Sequence, residues 1–294
     1  MLDGKLDTFL MVAQLGSCTA AAQQLGLTQP AVTQHLARLE EHYGCAFFTR
    51  EGRTMRLTPQ GEEFLHYVRM QRSNEQQLVK RLRRRTQPLR IGSTLSIADY
   101  YLPPRLGPLL AQPGFALDMQ VANTDTLLGR LVEGQLDAAL IEGIFDRGAF
   151  EAHEICRTRF VPVAAADHPL AGRPVRWEEL YPYPLILREK GSGTRAMLEN
   201  SLAQNNDSLA SFAQVWQVGS LALIKHLLRH SQGGSFLYEE VAAQEVAQGL
   251  LIQLDLEGYS VTHPLHLVVL KNSLEYERVM DFYRRCTQPQ PPEQ

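Results

Sequence analysis

The chain has 294 residues, which is enough for two or three domains with separate cores. Its four cysteines, Cys18, Cys45, Cys156 and Cys286, lack CxxC spacing, so we expect neither a disulfide framework nor a cysteine-based metal site. No apolar run approaches membrane-spanning length, and the N-terminus lacks the basic-then-apolar order of a signal peptide, which together predict a cytoplasmic protein with no membrane partner.

Charge is distributed unevenly along the chain. Residues 1–90 hold 13 Lys and Arg against 8 Asp and Glu, a net charge of +5, whereas the remaining residues hold 16 against 24, a net charge of −8. The basic third is suited to a polyanion such as DNA. The acidic remainder is not, so we expect any anion bound there to be small and held by local dipoles.

A first helix is expected over residues 6–14, and residues 17–40 have the pattern of a helix-turn-helix about Gly26. Apolar residues recur at i, i+3/i+4 spacing in both of its helices. Thr28 is placed to N-cap the second helix, and Pro30 falls in its first turn. The polar residues left over can contact base edges or phosphates in a major groove. They are Gln29, Thr33, Gln34 and Arg38. Two amphipathic helices in an ordinary bundle are the alternative.

Residues 43–61 follow with an apolar Phe47-Phe48 pair and then three arginines about a Gly turn. This pattern predicts a β wing of two short strands. The arginines of such a wing, Arg50, Arg53 and Arg56, can reach phosphates or a narrow minor groove. A solvated basic hairpin is the alternative.

Residues 59–85 lack Gly beyond position 61 and lack further Pro, which favours one long helix. A heptad seam runs along it through Phe64, Val68, Gln71, Glu75, Leu78 and Leu82. A helix of about 25 residues is about 38 Å long and cannot bury such a stripe alone, which indicates pairing with a second copy. Because Gln71 and Glu75 weaken the seam, a single helix lying on its own domain remains an alternative.

After residue 88 the hydrophobic period changes, and short apolar runs alternate with helical segments. Strands are expected at 89–93, 117–122, 138–142, 185–187, 214–218, 236–238, 250–254 and 263–271. Helices are expected from about 102, from 124 and over 273–286. This alternation predicts parallel βαβ units in two α/β lobes that exchange strands. Such lobes enclose a crevice at the carboxyl ends of their strands, where ligands bind.

Two motifs in residues 17–61, AAxxLxxTQPAVTxxLxxLE and RxxRxxxLTxxG, resemble the DNA-binding domain of LysR-type transcriptional regulators. The resemblance continues through the long helix and into an effector domain similar to the periplasmic binding proteins. Three further stretches are similar to the branch with the sulfite-responsive, cysteine-pathway and carbon-fixation regulators. They are IGSTLSIADYYLP (91–103), AALIEG (138–143) and LILREKGSGTR (185–195).

The resemblance implies an α/β protein with an N-terminal winged helix-turn-helix (1–58), a linker helix for dimerisation (59–87) and a two-lobed periplasmic-binding-protein-like α/β effector domain. Lobe I would comprise 88–160 and 264–287, and lobe II 161–263. The resemblance does not cover residues 288–294, which are too polar and Pro-rich to fold and are expected to form a disordered tail. The family also implies a homodimer, paired again as a homotetramer, on double-stranded operator DNA. The DNA contacts carried over from the family are Gln29, Pro30, Thr33, Gln34, Arg50 and Arg53. Thr28 and Arg38, at the start and on the outer face of the same helix, complete the set of candidate DNA-binding residues.

Residues 191–195, GSGTR, lie between a predicted strand and a predicted helix. Free backbone N–H groups, hydroxyls and an arginine in that position suit a small anion. Without a Gly-Lys-Ser/Thr ending the loop is not a nucleotide P-loop, and a plain N-cap is the alternative. Glu142 would repel an anion unless paired, so it either holds Arg195 or binds a protonated group. The effector-site candidates are Ser93, Thr94, Ser96, Asn123, Glu142, Gly191, Ser192, Gly193, Thr194, Arg195 and Ser220.

These observations predict a LysR-type DNA-binding transcriptional regulator whose operator binding is modulated by a small anionic effector, such as sulfite or sulfate. No cofactor and no metal are expected, because His226 and His230, although four residues apart, lack a third ligand. No nucleophile elbow or Cys/His arrangement indicates catalysis. The alternative is a small-molecule binding or transfer enzyme with an accessory basic helical domain.

Overall fold

The computed structural model describes residues 4–52, 54–82, 88–110, 115–145 and 148–287. The described residues fall into two compact units. The first holds those up to Leu82 together with 132–134 and 271–274, and the second holds the others from Pro88 onward. Arg53, residues 83–87 at the end of the predicted linker helix, and the predicted tail 288–294 lie outside the described residues.

The first unit contains the helix-turn-helix that the sequence predicts. Its elements are α1 (Gly4–Leu15), α2 (Cys18–Leu25), α3 (Gln29–Tyr43), β1 (Phe48–Glu51), β2 (Thr54–Leu57) and α4 (Pro59–Leu82). Ser17 caps α2, and Thr28 caps α3 by accepting a hydrogen bond from Ala31 N at 3.3 Å. Gly26 ends α2 in the left-handed conformation, with φ of 66°, which sets the turn between the two helices.

Aromatic packing holds the wing to the helices of the first unit. The rings of Phe47 and Phe64 stack with centroids 4.2 Å apart, and Phe9 packs against both. Glu40 at the end of α3 adds a polar link, because its Oε1 accepts hydrogen bonds from Phe47 N at 2.8 Å and Phe48 N at 3.3 Å. No sequence signal marked this role of Glu40. Its side chain joins α3 directly to the start of the wing.

The two ends of the predicted heptad seam on α4 differ in burial. Phe64 and Val68 are buried in the core of the first unit, whereas Leu78 is 47% exposed and Leu82 is 71% exposed. The prediction of one continuous dimer seam is therefore wrong for its first two positions, because those side chains complete a core within their own unit. Within the described ranges, no helix combines the length and the apolar character needed to cross a bilayer.

The second unit is built on one mixed sheet flanked by helices. The strands of the unit are β3 (Leu89–Ser93), β4 (Leu117–Val121), β5 (Ala138–Ile141), β6 (Phe150–Ala165), β7 (Pro174–Val175), β8 (Leu185–Leu187), β9 (Val215–Gln217), β10 (Gly234–Tyr238), β11 (Leu251–Gln253), β12 (Asp255–Leu256) and β13 (Val261–Leu270). Strands β7 and β12 lie outside the mixed sheet and pair with each other. Its helices are a π-helix (Ile97–Tyr101), α5 (Pro103–Leu110), α6 (Thr124–Val132), α7 (Trp177–Leu180), α8 (Gly193–Gln204), a 3₁₀ turn (Leu209–Ser211), α9 (Leu221–Arg229), α10 (Glu239–Ala247) and α11 (Tyr276–Thr287).

The sheet has the order β4-β3-β5-β13-β6-β10-β8-β9, with β11 added on β6. Strands β3, β4 and β5 are parallel, as are β8, β9 and β10, which agrees with the predicted βαβ units. The two long central strands depart from that prediction because they run antiparallel to their neighbours. Most of β6 was also missed by the sequence reasoning. Up to Phe160 it pairs with β13, and beyond Phe160 it pairs with β10, so one strand carries the sheet from one half to the other.

Candidate DNA-binding surface and effector site

The outer face of α3 is polar and partly preorganised. Gln29 Nε2 donates to Thr33 Oγ1 at 2.9 Å, and that hydroxyl donates to Gln29 O at 3.1 Å, so the two side chains hold each other. The Thr28 hydroxyl is occupied as the helix cap. All six candidates from this helix are exposed, namely Thr28, Gln29, Pro30, Thr33, Gln34 and Arg38. The side chains of α3 that the sequence predicts to contact DNA are therefore accessible.

The wing presents exposed arginines whose contacts are local. Arg50 Nε donates to Gly52 O at 3.1 Å within the turn, and Arg56 pairs with Glu51 at 2.8 Å. Both partners of that ion pair are more than 60% exposed, so it is worth less than about 1 kcal/mol and is easily exchanged for a phosphate. The structure thus leaves both wing arginines available.

A cleft of about 250 Å³ lies in the second unit between the two halves of the sheet. One wall comes from the ends of β4 and β5, through Thr124, Asp125 and Ile144. The other wall comes from the segment after β8, through Lys190, Gly191, Ser192, Gly193, Arg195, Ala196 and Glu199. Four of the predicted effector residues, Gly191, Ser192, Gly193 and Arg195, therefore line the cleft. Lys190, Asp125 and Glu199 were not predicted from the sequence.

The first turn of α8 faces this cleft. The predicted loop at 191–195 is shorter than expected, because the helix begins at Gly193 and takes Thr194 and Arg195 into its first turn. Ser192 is the N-cap residue, but its hydroxyl does not cap the helix. It instead lies 2.8 Å from the Thr194 hydroxyl, and both side chains are buried. The plain N-cap alternative therefore does not describe Ser192.

Two glycines bring the halves of the sheet into backbone contact beside the cleft. A Cβ on Gly193 would lie 2.2 Å from Glu142 O, and a Cβ on Gly143 would lie 2.5 Å from Gly193 Cα. Gly143 also has φ of 96°, which favours glycine. The end of β5 and the start of α8 can approach this closely only because both positions lack a side chain.

Glu142 is fully enclosed at that contact, with 1% of its surface exposed. Its carboxylate accepts hydrogen bonds from Thr94 Oγ1 and from Ser96 Oγ, the latter at 3.3 Å. Burial raises the pKa of the Glu142 carboxyl to about 7, although the Thr94 hydroxyl and the charge of Arg188 act in the opposite direction. The hydroxyls predicted to hold an effector thus hold an internal carboxyl.

Arg195 does not pair with Glu142, which corrects one of the two roles predicted for that carboxylate. Its guanidinium donates to Glu199 Oε1 and to Gln217 Oε1, each at 2.8 Å. The cation whose charge acts on Glu142 is Arg188, which is 4% exposed and donates two hydrogen bonds of 2.8 Å to Glu189. Arg188 lies within the LILREKGSGTR stretch, but the sequence did not mark it as a site residue, because it directly follows the apolar strand and precedes the Gly-rich segment.

The remaining candidates, Ser93, Asn123 and Ser220, are not among the residues that line the cleft. The Ser93 hydroxyl is buried and turned to Thr94 O at 3.1 Å. Asn123 Nδ2 reaches across to Glu189 Oε1 and Lys190 O, each at 3.5 Å. Ser220 is exposed and caps α9 by accepting a hydrogen bond from Leu223 N. Among the described residues, no group of three or more His, Cys, Asp or Glu side chains is placed to hold a metal ion.

The family of the chain follows from comparison with known proteins. Residues 4–62 match the model for the bacterial regulatory helix-turn-helix protein of the lysR family, and residues 82–289 match the LysR substrate binding domain. The RuBisCO operon transcriptional regulator of Allochromatium vinosum is 30% identical over 274 residues, covering 90% of this chain and 88% of that protein. This chain belongs to the LysR family of transcriptional regulators. It is therefore a DNA-binding regulator with an effector-binding domain, and the enzyme alternative is set aside.

Solved LysR-type structures share the fold of this regulator. ArgP of Mycobacterium tuberculosis superposes with a TM-score of 0.64 at 20% identity, over 100% of both chains. The regulatory domain of Synechocystis CcmR, solved in complex with 2-PG, superposes with a TM-score of 0.60 at 24% identity and covers 69% of this chain and 99% of that domain. The combination of a winged helix-turn-helix with an α/β effector domain is thus common to this LysR-type regulator and its relatives.

Proposed function

We propose that this LysR-type regulator binds a small anion in the cleft at the N-terminus of α8, and that anion binding modulates its affinity for operator DNA. The observation that carries the proposal is the first turn of α8, which opens on a cleft that also contains Lys190 and Arg195. A helix N-terminus with unclaimed N–H groups and nearby cations favours negative charge. Ser192 leaves those N–H groups uncapped.

The ligand class is inferred from the size and charge of the cleft. A volume of about 250 Å³ suits a small molecule. Asp125 and Glu199 also face the cleft, so an anion must be compact enough to stay close to α8 and away from those carboxylates. Sulfite, sulfate, phosphate and small carboxylates meet this condition. The CcmR regulatory domain, solved with 2-PG, supports a small effector in this type of domain.

The DNA-binding part of the proposal rests on the exposed polar face of α3 and on the wing. Gln29, Thr33 and Gln34 would read base edges, and Arg50 would contact phosphates. One recognition helix offers too few contacts for useful specificity, so a second copy is required. The exposed apolar residues Leu78 and Leu82 of α4 would join two copies, and two such dimers would form a tetramer on separated half-sites.

Two measurements on the full chain test the proposal. A thermal-shift screen of the four anion classes should show stabilisation by at least one of them, and the same anion should change operator affinity in a retardation assay. The affinity for upstream DNA should fall steeply with salt, because phosphate contacts release counterions. Binding to that DNA without a change on adding any stabilising anion would contradict the modulation, and absence of any thermal shift would contradict the anion site.

A further inference from the structure

The carboxyl of Glu142 occupies the position where an anion would otherwise find hydroxyl donors. Thr94 Oγ1 and Ser96 Oγ both donate to it, and Thr124 Oγ1 donates to the backbone carbonyl of Glu142 at 3.0 Å. The side chain is fully buried. A ligand at the carboxyl ends of β3 and β5 could accept hydrogen bonds from these three hydroxyls. In the structure all three donate to Glu142 instead.

Among the described groups that face Glu142 from other elements, none forms an ion pair with its carboxylate. Arg188, after β8, is the nearest cation, but both of its hydrogen bonds go to Glu189. The Tyr238 hydroxyl on β10 donates to Met197 Sδ at 3.1 Å. Burial lowers the pKa of His263 on β13, whose Nε2 lies 3.1 Å from Gly143 N, and so disfavours a positive charge on this ring. Among the described ion pairs, none includes Glu142.

The same carboxyl lies next to the proposed anion site. Glu142 packs against Gly193, the first residue of α8, through its main chain and its side chain. A Cβ on Gly193 would lie 2.2 Å from Glu142 O and 3.0 Å from Glu142 Cγ, the carbon that carries the carboxyl group. A charge at the helix N-terminus and a charge on Glu142 would therefore share one poorly solvated region. Two anions in such a region repel each other, and the group with a proton to gain becomes neutral.

We propose that Glu142 is a specificity-determining residue whose carboxyl must be neutral when an anion binds at the N-terminus of α8, so that anion binding is coupled to the uptake of one proton. The proposal rests on the anion site proposed above. The proton comes from solvent and adds to a carboxylate oxygen of Glu142, which then has an O–H group to donate. The effector signal would therefore combine anion concentration with pH.

The raised pKa of Glu142 places the proposed coupling in the pH range around neutrality. Burial raises its pKa to about 7, so the carboxyl changes charge near neutrality rather than in strong acid. An anion nearby must raise it further, and by linkage the anion then binds more tightly when the carboxyl is already protonated. Above neutrality each pH unit should weaken anion binding by up to about tenfold.

Isothermal titration of the full chain with sulfate and with oxalate tests the coupling, because both ions keep their charge across neutral pH. Wild-type protein should bind about tenfold more weakly at about pH 8 than at about pH 6. Titration at the higher pH in two buffers of different ionisation enthalpy should show uptake of one proton per bound anion. Glu142→Gln, an uncharged side chain of the same shape, should bind equally at both pH values and take up no proton.

Glu199→Gln is the matched control, since it removes another carboxyl from the same cleft, and it should retain the wild-type pH dependence. Loss of that dependence in Glu199→Gln would assign the proton to Glu199 instead. Binding by the wild-type protein that does not vary with pH would overturn the coupling while leaving the anion site intact. Absence of binding of both ions, by both proteins and at both pH values, would contradict the proposed anion site itself. The proton count needs no variant, so it stands even where Glu142→Gln folds poorly.

Discussion

Gly143 and Gly193 meet backbone to backbone, such that a Cβ on Gly143 would lie 2.5 Å from Gly193 Cα. The two residues belong to opposite halves of the sheet, Gly143 following β5 and Gly193 beginning α8. Because the neighbouring atoms are main-chain atoms, they cannot move aside as a flexible side chain would. The spacing between the walls of the cleft therefore depends on glycine at both positions.

Gly193→Ala should separate the two walls of the cleft. The new Cβ would lie 2.2 Å from Glu142 O, and overpacking of this kind costs about 1–3 kcal/mol of stability. We expect a lower melting temperature and a smaller anion-induced thermal shift, with operator binding retained in a retardation assay. Gly129→Ala is the control, because Gly129 is exposed on α6 with open space around its Cα. It should stabilise the helix by up to about 1 kcal/mol, and an equal loss of anion response in both variants would contradict the assignment.

Glu142→Gln should change the pH dependence of stability. The pKa of Glu142 is raised in the folded protein to about 7, so its contribution to stability is complete at low pH and is lost as the pH rises through about 7. Between about pH 5 and pH 8 the wild-type protein should therefore lose up to about 3 kcal/mol more than the variant. Urea unfolding followed by tryptophan fluorescence reports on this, because Trp177 and Trp216 both lie in the second unit. The exposed Glu154 provides a control variant, Glu154→Gln, which should behave as wild type.

Thr33→Val should weaken operator binding at one base position. The substitution keeps a methyl group but removes the hydroxyl that accepts the hydrogen bond from Gln29, so both a base contact and the orientation of Gln29 are lost. The expected cost is about 1–3 kcal/mol on the operator, with no change in the salt slope, because no phosphate contact is removed. Anisotropy titrations on operator and unrelated DNA measure both quantities. Gln24→Ala, at an exposed position of α2, should leave both unchanged; a similar loss there would argue against α3 as the reading element.

Leu78→Asp should dissociate the proposed dimer without unfolding the chain. Leu78 is 47% exposed, so a charge there is tolerated in the monomer but would be buried against a second copy of α4. Sedimentation velocity should show a shift toward the monomer. Val246→Asp, at a 40% exposed apolar residue on α10, is the control and should keep the wild-type assembly. Val68→Ala should instead lower the melting temperature, because Val68 is fully buried in the first unit, and an assembly unaffected by Leu78→Asp would contradict the seam.

Short-range features of the sequence determined the helix-turn-helix of the first unit. The cap at Thr28, the turn at Gly26 and the apolar spacing of α3 are short-range features, and the structure has all of them where the sequence predicts them. Strands such as β3 and β8 could also be predicted from the sequence, because each is a short apolar run with polar residues or turns at its ends. The first half of β6 could not be predicted from the sequence. Its side chains do not alternate regularly between buried and exposed, and its partner β13 lies about a hundred residues away along the chain.

Only the tertiary structure decided which partner each polar group of the cleft region contacts. Residues 191–195 carry the composition of an anion loop, but only packing against the end of β5 shows that Gly193 starts the helix and touches Glu142. The sequence likewise left two roles open for Glu142, and the fold removed one of them by giving Arg195 to Glu199 and Gln217. The physical reason is range. Caps, turns and helical faces depend on neighbours within one or two turns. The burial and charge state of Glu142 depend instead on groups from four separate segments of the second unit, namely those after β3, in α6, after β8 and in β10.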